Sequence, residues 1–141
     1  MTAMTGARYS NNAAAALLVA TVLSVSPAAA SGDIICDATD GSGASISIGV
    51  GHLPVLSVLS ANATDGSTTW STNPSGDEKP IVFGQGVADD RQVLVDFTDP
   101  NIEGIVVSLR LFQASGSKDY AEAGVLSFED VSAFPVQCIN G

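Results

Sequence analysis

From about residue 32 onward, apolar residues in this chain recur at every second position in short runs. Ile46, Ile48 and Val50 alternate with small or polar neighbours in "ASISIGV". Val93, Val95 and Phe97 share one face of "QVLVDF", and Ile105, Val107, Leu109 and Leu111 share one face of "IVVSLRLFQ", with Ser108 and Arg110 opposite. A period of two is that of a half-buried β-strand, whose side chains point alternately to its two faces. Between the runs stand "TDGSG", "NATDGS", "NPSGDEKP", "DDR", "DPNIEG" and "ASGSKD". These are clusters of Asp, Asn, Gly, Pro and Ser, the residues that supply tight-turn geometry. No window after Ser31 sustains apolar spacing of three and four between helix caps. The pattern predicts an all-β domain, an antiparallel β-sandwich or small β-barrel of about seven to nine short strands. The expected core is Ile35, Ile46, Ile48, Leu56, Val58, Phe83, Val93, Val95, Ile105, Val107, Leu109, Leu126 and Phe128.

The first thirty residues follow another rule. Arg8 precedes an apolar stretch from Ala13 to about Ser26, then Pro27, with Ala28 and Ala30 at the two positions of an A-x-A cleavage site. This is the layout of a secretory signal peptide, which places residues 1–30 in the leader and residues 31–141 in one mature domain. A membrane span needs roughly 20 mostly apolar residues, whereas this run is shorter and contains Thr21, Ser24 and Ser26. The expectation is a periplasmic or secreted bacterial protein with no stable membrane insertion after cleavage. Cys36 follows Ile34 and Ile35 rather than the small residues of a lipid-attachment site, and "NAT" at Asn62 matches the short glycosylation triplet.

Export gives meaning to the cysteines. Cys36 and Cys138 are the only two and stand near opposite ends of the predicted mature chain. In an oxidising compartment the simplest outcome is one disulfide closing the whole domain. Charge narrows the partners: beyond residue 30, four Lys and Arg stand against fifteen Asp and Glu, a formal −11. Such a field repels phosphate backbones and anionic lipid, which excludes nucleic acid and leaves a protein or envelope component as partner.

Candidate chemistry is sparse. "DPNIEG" resembles the start of a calcium loop, with Asp99, Asn101 and Glu103 at alternate positions and Gly104 at the turn; Asp96 lies just upstream. The twelfth position, which such a loop fills with a bidentate Glu, holds Arg110. The four residues Asp96, Asp99, Asn101 and Glu103 therefore make at most a loose calcium site on what is equally a Pro-Asn turn. His52 is the sole histidine and has no evident partner for zinc or for base catalysis. No serine sits in a "GxSxG" context, and Asp89 and Asp90, being sequence neighbours, point apart if extended. No catalytic constellation emerges, and the expectation is a protein that is not an enzyme.

One stretch suggests a class of partner. "QASGSKDY", residues 113–120, resembles the Ser-Gly loop, closed by a Tyr, that bacterial periplasmic lysozyme inhibitors insert into the active cleft of the enzyme. That resemblance implies a partner-binding loop made by Ser115, Gly116, Lys118 and Tyr120, with Ser115 and Tyr120 as the contacts. An acidic chain would suit a basic lysozyme. The leading expectation is an exported, non-enzymatic β-domain acting by surface interaction in the cell envelope; an inhibitor of lysozyme-type hydrolases and a weak calcium-dependent binder are the alternatives.

Overall fold

The computed structural model describes residues 32–140, and the expected leader lies outside them. The described chain is all-β. Ten strands follow in order: β1 (Gly32–Ala38), β2 (Ser45–Val50), β3 (Val58–Thr64), β4 (Thr69–Ser71), β5 (Lys79–Pro80), β6 (Val82–Ala88), β7 (Gln92–Thr98), β8 (Ile105–Ser115), β9 (Tyr120–Phe128) and β10 (Ser132–Asn140). The expectation of about seven to nine undercounts, because Lys79–Pro80 supplies a two-residue strand within a stretch that reads as loop.

All ten strands belong to one sheet, ordered β5-β4-β3-β2-β1-β10-β9-β8-β7-β6. Its pairs are antiparallel except β4 with β5. The first and last strands therefore lie side by side in the middle, flanked by two meanders. The outermost strands of the sheet are consecutive in the chain. β5 pairs with β4, β6 pairs with β7, and only Ile81 separates them, its amide donating to the Ser71 carbonyl at 3.0 Å. One run of ten residues thus ties the two ends of the sheet together and curls it into a nearly closed barrel. The stacking of Trp70 in β4 on Phe128 in β9, with ring centroids 4.7 Å apart, crosses the interior.

The interior is what the period of two dictates. Ile46 and Ile48 from β2, Val93, Val95 and Phe97 from β7, Val107, Leu109 and Leu111 from β8, and Leu126 and Phe128 from β9 are buried together. Each large side chain so enclosed contributes roughly 1.5–3 kcal/mol of transfer free energy. Three expected core residues lie elsewhere. Ile35 points outward while Ile34 and Cys36 point in; the inward disulfide sets the parity of β1, and neighbouring residues on a strand cannot share a face. Ile105 faces outward because the register of β7 and β8 shifts between Phe97 and Thr98. Phe83 is half-exposed on the terminal strand β6, although its ring still meets the edge of Phe97. Leu56 and Val58 are partly buried against the core.

Cys36 and Cys138 form the disulfide, between residues directly opposite on β1 and β10 and 102 positions apart in the chain. No helix among the described residues is long and apolar enough to cross a membrane.

Candidate functional site

The acidic stretch that resembles a calcium loop is the β7–β8 turn. Asp99 organises it: Oδ1 accepts the amides of Glu103 at 2.8 Å and Gly104 at 2.9 Å, and Oδ2 accepts that of Asn101 at 2.9 Å. The Asp99 carbonyl also accepts the Ile102 amide, and Ile102 takes a left-handed backbone with φ of 61°. Backbone donation, from Gly104 foremost, holds the Asp99 carboxyl below its usual value of 3.8. Both oxygens thus face inward to amides of their own turn, while Asn101 and Glu103 are exposed.

Asp96 belongs to a different construction. Val95 and Phe97 point into the barrel, so Asp96 between them points out, yet it is only 3% exposed. Its Oδ1 accepts the Ser108 hydroxyl at 2.7 Å and lies 2.7 Å from Nη2 of Arg110, while Oδ2 accepts Nε2 of Gln85 at 2.8 Å. Arg110 also donates through Nη1 to the carbonyls of Leu109, at 2.9 Å, and Val95, at 3.3 Å. Burial acts to raise the Asp96 pKa, but the donors Ser108, Gln85 and Arg110 outweigh it and hold the carboxyl below 3.8. Asp96 and Asp99 thus turn their oxygens to separate sets of donors. Among the described residues no group of three or more His, Cys, Asp and Glu is placed to hold a metal ion.

Around this network lies an apolar surface. The ladder aligns Val87, Leu94, Arg110 and Val125 in one row across β6 to β9 on the outward face. Val87, Val125 and, one step along β8, Phe112 are each about half-exposed. Beyond the opposite side of Asp96 stand Ile102 and Ile105, also exposed. Two shallow depressions open here, about 350 Å³ beside Val87 and Leu94 and about 200 Å³ beside Ile102 and Ile105, with Gln85 and Asp96 common to both. The charge at the centre is internally neutralised. Sequence reasoning placed Ser108 and Arg110 on this face but did not join them to Asp96. The hairpin register carries that signal, since it sets Asp96 opposite Ser108 and Leu94 opposite Arg110.

The Ser-Gly loop is the tip of the β8–β9 hairpin. Ser115 ends β8, Tyr120 begins β9 directly opposite, and the Gly116 amide donates to the Asp119 carbonyl at 2.7 Å. Ser115, Gly116, Lys118 and Tyr120 are all exposed. Behind the tip, the carboxylate of Glu122 accepts both the Tyr120 hydroxyl and the Gln113 amide, which orients the phenol and raises its pKa above 10.0. Glu122 and Gln113 are residues that sequence reasoning did not single out. Their pairing follows from counting back along the hairpin from the Ser115–Tyr120 pair.

His52 sits exposed in loop 51–57, and Asp89 caps the β6–β7 turn by accepting the amides of Arg91 and Gln92. No protein-family model, curated protein or solved structure matches the chain.

Proposed function

We propose that the chain is an exported, non-enzymatic recognition domain that acts by surface contact in the bacterial cell envelope. The observation that carries this reading is the outward face of β6–β9: exposed Val87, Phe112 and Val125 surround an ion pair that satisfies itself, on a chain of formal charge −10. Contiguous apolar surface of this kind marks contact sites on soluble proteins, and a central charge pair already neutralised imposes no like-charge penalty on an approaching partner. Export accords with the disulfide. The test is binding of envelope proteins to the oxidised domain, comparing wild type with Phe112→Glu/Val125→Glu and with Val131→Glu, a change at a site away from that face. A partner retained by V131E and lost by the double variant supports the reading; a partner retained by all three sinks it.

The hairpin tip favours a second reading, inhibition of a lysozyme-type hydrolase. Ser115 and Tyr120 are exposed on one face of a protruding two-stranded arm, and Glu122 pre-orients the phenol, which lowers the entropy cost of insertion into a cleft. Suppression of muramidase activity by the wild type, lost in Ser115→Ala/Tyr120→Ala, is the expected result. Failure of the wild type against lysozymes of several classes removes it.

A further inference from the structure

One end of the barrel carries a recess that neither reading uses. Loop 51–57 bridges β2 and β3 there, closed at its base by a 2.7 Å hydrogen bond from the Gly51 amide to the Ser57 carbonyl. Leu56 packs directly over Gly86 of β6, near enough that a Cβ at Gly86 would lie 2.7 Å from it, so the loop reaches across to the far side of the sheet. Beneath and beside the loop is an open pocket of about 320 Å³. Ile34, Val50 and Val93 form its floor, and Leu53, Val55 and Leu56 its wall. Leu53 and Val55 are 62% and 71% exposed. Large apolar side chains held on a short loop beside an apolar recess gain burial only when something enters it.

The charged side chains among the described residues of the lining are all acidic. Asp33 and Asp89 line the opening with Gln113, whose side chain is bonded to the carboxylate of Glu122 just behind. Among the described residues no Lys, Arg or His is in the lining. The amides of its own turn hold Asp89 in its ionised form, so Asp33 and Asp89 set the preference. An apolar floor beneath a negative rim selects a ligand with an apolar body and a cationic head, and disfavours anions.

We propose that this end of the barrel binds a small cationic amphiphile, such as an alkylammonium, with its chain against Ile34, Val93 and the Leu53–Val55 wall and its head at the acidic rim. Octylammonium, octanol and octanoate, titrated below their aggregation limits, separate the two contributions. Methyl resonances of Ile34, Val93, Leu53 and Val55 should shift saturably with octylammonium, more weakly with octanol, and not with octanoate. Asp33→Asn should weaken octylammonium roughly two- to fivefold, the worth of a rim charge, and leave octanol unchanged. Leu53→Asn/Val55→Asn, altered only at exposed positions, should weaken both ligands. Octanoate binding as tightly as octylammonium overturns the proposal, as do shifts confined to Phe112 and Val125 on the outward face, or no saturable shift with any of the three.

Discussion

The Asp96 carboxylate lies 2.7 Å from the Arg110 guanidinium on the outside of the barrel, buried although it turns its back on the core. Removing one partner of such a pair leaves a desolvated charge, which costs far more than the pair itself contributes. Arg110→Met should therefore destabilise the protein by about 2–3 kcal/mol, while Asp96→Leu/Arg110→Met should recover much of that loss. Urea unfolding of both variants checks it. Equal stability of the single and double variants would contradict the coupling.

The same carboxylate makes the fold sensitive to acid. Its folded pKa is depressed below 3.8, so the unfolded chain takes up the proton first as the pH falls. The stability Asp96 contributes is complete above about pH 5, declines as the pH passes below 3.8, and is gone once the pH is under the depressed folded value. Asp40, Asp65, Asp89 and Asp99 are depressed as well and act with the same sign. Denaturant midpoints measured between about pH 6 and pH 2.5 should fall, and fall less steeply in Asp96→Asn.

The turn at Asp99 should ignore calcium. Its oxygens already accept three amides of residues 101–104, and a cation would have to displace them. Millimolar calcium should leave the melting temperature unchanged, whereas Asp99→Ala should lower it without any added ion. A rise with calcium that is absent from D99A would reverse this assignment.

Reduction of the disulfide should cost about 2–4 kcal/mol, because the loop it closes in the unfolded chain spans nearly the whole domain. Thermal unfolding of Cys36→Ala/Cys138→Ala against the oxidised wild type measures it. The double variant should remain folded at room temperature, since β1 and β10 keep their backbone pairing.

Much of the barrel is legible in residue alternation. β7, β8 and β9 stand where Val93-Val95-Phe97, Val107-Leu109-Leu111 and Leu126-Phe128 place them. What alternation does not carry is parity where both faces hold apolar residues: Ile34 and Ile35 are chemically alike, and only the inward sulfur of Cys36 decides between them. Alternation left sandwich and barrel both open, and the single sheet decides against the sandwich. Closure depends on Lys79–Pro80 pairing with β4 over two residues, too short a run to leave a pattern. The disulfide was legible because only one pairing exists for two cysteines. The Asp96 network required the β7–β8 register, which the bulge between Phe97 and Thr98 obscures when residues are counted from the turn.

The bond from Cys36 to Cys138 joins strands that already lie side by side, and nearly every loop of the fold falls between those two sulfurs. A protease that nicks the exposed hairpin tip or loop 51–57 consequently liberates no fragment, because both pieces stay leashed to each other. Survival as one covalent unit after a single cut follows from that closed circle.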